Sequence, residues 1–124
     1  MPNTPIVSAL VTPRLDPLTS VEPHVAAYLA ALRVAGFAGE ICTDYATRLL
    51  AATDNSIYQQ LPAAVMFART SADVQHALRL LDEPHFHKVA LTARGGGTGT
   101  NGQALTPGVV LDVSRHMREI LELN

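Results

Sequence analysis

The sequence predicts an α/β (α+β) fold: a small three-stranded parallel sheet with helices around it. Three observations carry this expectation. Ala64–Ala68, Lys88–Ala93 and Val109–Val113 are near-continuous apolar runs, the pattern of buried strands. Val74, Ala77, Leu78 and Leu81 form a helical stripe between the first two. Strands joined through a helix pair in parallel, by a right-handed crossover.

Each element has its own punctuation. Residues 1–22 hold Pro2, Pro5, Pro13 and Pro17, which predicts an extended lead-in. Residues 23–60 are expected to be a helical lead-in. Pro23 suits a first helical turn, Val25, Leu29 and Leu32 share one face, and Gly36 is a stop. A second short helix is expected from Asp44 to Ala52, carrying Tyr45 and Leu49. Asp54-Asn55-Ser56 reads as a turn, because these side chains compete for nearby backbone groups, and Pro62 closes it. Thr70 with Asp73 three residues on resembles a capping box. Pro84 ends the helix that follows. Ile120–Asn124 alternates like a strand and then stops, which predicts a fragment of a longer protein, with residues 61–124 as the first half of a domain.

Composition narrows the function. The chain has 124 residues, 48% hydrophobic, with a net charge of −2. Its one Lys and eight Arg are scattered, so nothing suggests attraction to nucleic acid or to an anionic membrane. Cys42 is the sole cysteine, which rules out an internal disulfide and suggests a reducing, cytoplasmic setting. No secretory signal and no stretch of membrane-span length is visible.

The chemistry lies in Arg94-Gly95-Gly96-Gly97-Thr98-Gly99-Thr100-Asn101-Gly102-Gln103. Six of the eight glycines fall between Gly95 and Gly108. Glycines let backbone N–H groups close on an anion, and such a nest binds phosphate without a lysine. A flexible surface loop is the plainer alternative, weakened by the strands on either side. Two familiar phosphate motifs nearly match. Gly97-x-Gly99-x-x-Gly102 follows a strand, but Pro107 and Gly108 leave no room for the helix that the dinucleotide fingerprint requires. Gly97-x-x-x-x-Gly102 is followed by Gln103 and Ala104 where a Walker loop needs Lys and Ser/Thr.

With the Val-Val-Leu-Asp strand and Ser114-Arg115 behind it, this loop resembles the FAD-binding domain of the vanillyl-alcohol-oxidase/p-cresol-methylhydroxylase family. Within it, the pattern is similar to bacterial FAD-linked dehydrogenases of D-2-hydroxy acids, of the D-2-hydroxyglutarate and D-lactate type. The similarity runs from Thr43 to Asn124 and is most specific at Thr53–Tyr58, Arg94–Ala104 and Asp112–Met117. It implies that the chain is the first lobe of a PCMH-type FAD-binding domain, with Arg94 to Gln103 wrapping the FAD pyrophosphate. Many relatives attach FAD through a His where this chain has Thr98, so non-covalent FAD is expected. The resemblance places the second lobe, the substrate site and any iron–sulfur cluster beyond Asn124, and it assigns no catalytic residue to this segment. A small hydroxy acid would be oxidised by hydride transfer to FAD. A fragment with a bare sheet edge could pair with a second copy. The alternative is a stand-alone nucleotide- or phosphate-binding module without redox activity.

Other residues have competing readings. Arg94 could neutralise a pyrophosphate or pair with a carboxylate. Asp112 could satisfy backbone donors at a strand end, or orient Arg94 or Arg115. His116 could lie near the cofactor or be structural. Asp54, Ser56 and Tyr58 could fold back toward the cofactor, although a capped turn with a packed tyrosine is favoured. His85 and His87 have no further ligand at metal-like spacing and read as a solvated loop. Cys42 reads as a small apolar filler.

Overall fold

The computed structural model describes residues 21–124. The lead-in expected over residues 1–22 lies outside the described residues, save Val21 and Glu22. Four strands form one sheet: β1 (Glu40–Cys42), β2 (Ala64–Phe67), β3 (Leu91–Arg94) and β4 (Val109–Asp112), in the order β1-β2-β4-β3. β2, β4 and β3 are parallel, and β1 runs antiparallel along β2. The expected three parallel strands are therefore present, and the count is corrected to four. β1 lies within the stretch read as a helical lead-in. Three residues are too few for a readable period; Glu40–Cys42 is a strand because the free edge of β2 supplies its partners.

α1 (Pro23–Ala35) has Pro in its first turn and ends at Gly36, where the Gly36 N–H donates to the Arg33 carbonyl and the Phe37 N–H to the Leu32 carbonyl. It buries Val25, Tyr28, Leu29 and Leu32. α2 (Tyr45–Leu50) is capped by Asp44, which accepts from the Thr47 N–H at 2.9 Å. α3 (Ser71–Leu81) follows β2, and a 3₁₀ turn at Pro84–Phe86 leads toward β3. Leu78 is half exposed, so the buried stripe of α3 is Val74, Ala77, Leu80 and Leu81. β3 begins at Leu91 and not at Lys88, because Val89 is still bonded back to Phe86 in the preceding turn.

The expected capping box between Thr70 and Asp73 is not made. Thr70 sits at the N-cap without a side-chain bond. Asp73, 1% exposed, takes two backbone N–H groups at 2.8 Å: Ala38 on Oδ1 and Arg69 on Oδ2. One carboxylate thus fixes both the entry to α3 and the turn between α1 and β1.

Alternate strand residues feed two layers. Ala64, Met66, Val109 and Leu111 pack with Tyr28, Leu32, Ala77 and Phe86. Val65, Phe67 and Val110 pack on the other face with Ala51 and Cys42. Each fully buried large side chain contributes about 1.5–3 kcal/mol. Tyr28 keeps its hydroxyl satisfied by donating to the Ala77 carbonyl at 2.8 Å, and burial pushes its pKa up. Ile120–Asn124 is not a strand: Ile120, Leu121 and Leu123 are exposed, and no described strand lies beside them. Alternation alone does not make a strand without a ladder partner.

Candidate functional site

The register sets the site. Phe67, Asp112 and Arg94 stand side by side at the C-terminal ends of three parallel strands. In parallel sheets this edge gathers the functional loops. The glycine loop leaves from Arg94 and returns to the opposite end of β4, which lies beside β3, without a helix.

Arg94 makes no direct ion pair with a carboxylate among the described residues. Its guanidinium donates to the Thr53 carbonyl at 2.9 Å and the Ala51 carbonyl at 3.4 Å. These hydrogen-bond acceptors are neutral, and the charge of Arg94 acts on the Asp54 carboxylate beside the loop. Gly97 (φ 66°) passes directly over it: a Cβ there would lie 2.3 Å from Nη2. Gly95 has open space around it, and Gly96 has only a Thr98 methyl nearby. Among the described residues, no group accepts from the N–H groups of Gly95, Gly96, Gly97 or Thr98.

The far half of the loop is held internally. The Gln103 side-chain carbonyl accepts from the Asn101 N–H at 3.0 Å and fills the space a Cβ on Gly99 would need. Thr98, Thr100, Asn101 and Gln103 are exposed. Gly102 (φ 77°) lies against the Tyr58 ring. The Asn55 N–H donates to the Gly99 carbonyl at 3.1 Å. The 53–58 loop therefore folds back onto the glycine loop, and it is also a capped turn. Asp54 Oδ1 accepts from the Ser56 N–H at 2.8 Å, and Ser56 Oγ accepts from the Tyr58 N–H at 3.1 Å. Asp54 Oδ2 is buried without a hydrogen-bond partner. The Ser56 hydrogen bonds, then the Arg94 charge, hold the Asp54 carboxyl below its usual range against the opposing effect of burial; the Gly102 amide adds a smaller lowering without a hydrogen bond of standard geometry.

Asp112 serves backbone donors: Oδ1 accepts from the Ser114 N–H and Oγ and from the Arg115 N–H. The turn it builds aims Arg115 and His116 at Glu40, which the sequence reading did not single out. Glu40 takes Arg115 at 2.8 Å and His116 at 2.6 Å, with Arg69 at 3.7 Å. The Arg115 guanidinium also lies 3.5 Å from the centroid of the Phe67 ring. The His116 hydrogen bond, then Arg115, lowers the Glu40 pKa. Burial, with Asp44 and Glu40 adding to it, raises the Cys42 thiol, which keeps it protonated and inert. Arg48, nearly buried, donates to the Pro62 carbonyl at 2.7 Å and ties α2 to the start of β2. Nothing local in sequence announces Glu40 or Arg48, since their partners lie far along the chain.

Beside the loop is a cleft of about 430 Å³, lined by Arg94, Arg115 and Arg118 among others, with Leu50, Phe67 and Ser114. Asp112 also lines the cleft and Arg115 is paired with Glu40, so the pull on an anion rests mainly on the amides of Gly95 to Thr98 and the Arg94 guanidinium.

This chain belongs to the FAD-binding domain family, whose pattern matches residues 62–124. It is similar to curated D-2-hydroxyglutarate dehydrogenases. It is 59% identical over 97 residues to that of Pseudomonas putida, covering 78% of this chain and 10% of the relative. It is 47% identical over 112 residues to that of Escherichia coli, covering 90% and 11%. The chain thus spans roughly a tenth of the length of these relatives. Among solved structures, alkyldihydroxyacetonephosphate synthase has a similar fold, with a TM-score of 0.65 at 15% identity over 80% of this chain and 20% of that one. Physcomitrella patens BBE-like 1 aligns with a TM-score of 0.53 at 21% identity, over 69% and 19%.

Proposed function

We propose that this chain is the cofactor-binding segment of a longer FAD-dependent dehydrogenase that oxidises a D-2-hydroxy acid, 2-hydroxyglutarate- or lactate-like. The observation that carries the reading is the glycine loop on the parallel-strand edge: amides of Gly95 to Thr98 that meet no acceptor among the described residues, beside the Arg94 guanidinium. The names of the similar dehydrogenases supply the substrate class.

Residues Arg94 to Gln103 fit a pyrophosphate on physical grounds. Gly97 leaves space that a Cβ would fill, and Arg94 beneath it favours negative charge. Thr98, Thr100 and Asn101 stand exposed on the loop, available to the neighbouring parts of the cofactor. Bound FAD supplies the hydride acceptor for substrate oxidation. This chain's residues hold and orient it; the group that takes the substrate proton comes from elsewhere in the longer protein. Thr98 stands where many relatives of the resembling family have the flavin-linking His, so FAD is held without a covalent bond there. Any iron–sulfur cluster draws its cysteines from outside this chain, which has Cys42 alone. Among the described residues no helix is long and apolar enough to cross a membrane, and we place the protein in the cytoplasm.

The test is the visible spectrum of the full-length protein before and after acid precipitation, with D-2-hydroxyglutarate and D-lactate assayed against a dye acceptor. Flavin bands that pass to the supernatant, with dye reduction by one of the acids, are expected. A colourless protein that stays so after soaking in FAD refutes the reading and favours a phosphate-binding module.

A further inference from the structure

The loop over residues 53–58 packs along the glycine loop, and the proposed anion site does not use it. It is tied on by three contacts: Arg94 to the Thr53 carbonyl, Asn55 to the Gly99 carbonyl, and Tyr58 against Gly102. Within it, Asp54 uses one oxygen to hold the turn; among the described residues the other is buried without a hydrogen bond of standard geometry, with the Gly102 amide and the Arg94 charge acting on the carboxyl. A buried carboxylate oxygen without a donor is costly, so such an atom in a binding loop marks a missing donor.

We propose that Asp54 is a cofactor contact whose Oδ2 accepts a hydrogen bond from a sugar hydroxyl of the bound flavin dinucleotide. The sign of the charge selects the group. A phosphate oxygen brings a second negative charge and no proton, so it cannot satisfy a carboxylate. The donor must be neutral and must sit close to whatever the glycine loop holds. In FAD the pyrophosphate is flanked by the ribityl chain and the adenosine ribose, both bearing hydroxyls; the ring N–H groups lie farther out. The site thus divides its labour: the amides of Gly95 to Thr98 take the anion, and Asp54 takes the adjoining polyol. This rests on the FAD reading above.

The discriminating variant is Asp54→Asn in the full-length protein. Asn keeps the oxygen that accepts from Ser56, so the turn survives, while Oδ2 becomes an NH₂ group that cannot accept. FAD titration of the apoprotein, followed by flavin fluorescence, is expected to show affinity roughly ten- to a hundredfold weaker than wild type, the loss of one charge-assisted hydrogen bond. The thermal midpoint of the apoprotein is expected to fall only slightly, because the turn bond to Ser56 survives and only the charge interaction with Arg94 is lost. Lowered apoprotein stability with unchanged FAD affinity would assign Asp54 to the turn alone and overturn the proposal. A second measurement needs no variant. Of two FAD analogues, one lacking ribityl hydroxyls and one with 2′,3′-dideoxyadenosine, one is expected to bind wild type about tenfold or more weaker than FAD. Both binding as tightly as FAD overturns the proposal. A wild-type protein that takes up no FAD overturns this inference and the FAD reading together, whereas normal uptake by wild type and Asp54→Asn alike overturns only this one.

Discussion

Gly97→Ala tests whether the glycine loop is shaped by Arg94. The new methyl would lie 2.3 Å from Nη2 and 2.8 Å from Cζ of Arg94, at a residue with φ of 66°. Two costs follow. A non-glycine residue in the left-handed region costs about 1–2 kcal/mol. The guanidinium must also swing away, giving up its bonds to Thr53 and Ala51; the site is half open to water, so about 1–2 kcal/mol is a fair discount on a charged hydrogen bond. The total is roughly 2–4 kcal/mol, a large share of a small domain's stability. The second cost vanishes if the guanidinium is already gone. Gly97→Ala in an Arg94→Ala background should therefore cost only the backbone term, about 1–2 kcal/mol. Urea unfolding of the four chains, followed by far-ultraviolet circular dichroism, closes the cycle. Equal costs in both backgrounds would refute the packing of Gly97 on Arg94.

Gly39→Ala should be worse than Gly97→Ala, because its methyl would lie 2.1 Å from the Phe67 carbonyl, a backbone atom in the sheet that cannot swing aside; loss of the cooperative unfolding transition is the expected readout. Asp73→Ala strips the acceptor from two backbone N–H groups and should cost roughly 2–4 kcal/mol in the same urea experiment. Glu40 gives a pH signature. Its folded pKa lies below the ordinary value of 4.5, so its contribution is present above that value and is lost as pH falls through the folded one. Thermal midpoints should show wild type losing its advantage over Glu40→Gln as the pH drops from about 5 to about 3, with no such loss near neutrality.

Local chemistry made much of this structure legible. Pro23 and Gly36 bracketed α1, and the apolar runs located β2 and β4 closely, because each signal acts within a few residues. The glycine loop was legible because clustered glycine is rare and its strand boundaries are plain. The rest depends on distant partners. β1 is too short for a period and exists through β2. Leu78 and Leu80 differ in burial only through the placement of α1 and the 3₁₀ turn. Arg94 and Asp54 both stood out in sequence, but their contact through Thr53 joins residues 41 apart along the chain. Asp112 was read between two roles, and the structure gives it the backbone donors of Ser114 and Arg115.

β4 is the last in sequence of the four described strands and lies between β2 and β3. During synthesis β2 and β3 therefore emerge without each other as neighbours, and neither has its parallel partner until Val109–Asp112 leaves the ribosome. The glycine loop is made just before that strand, so the segment that meets the cofactor and the strand that closes the sheet become ordered in one event. A nascent chain stopped before Val109 would carry a complete glycine run and no sheet to mount it on. Ribosome-bound intermediates should thus pass from protease-sensitive to protected over this short window of chain length, rather than gradually from the N-terminus.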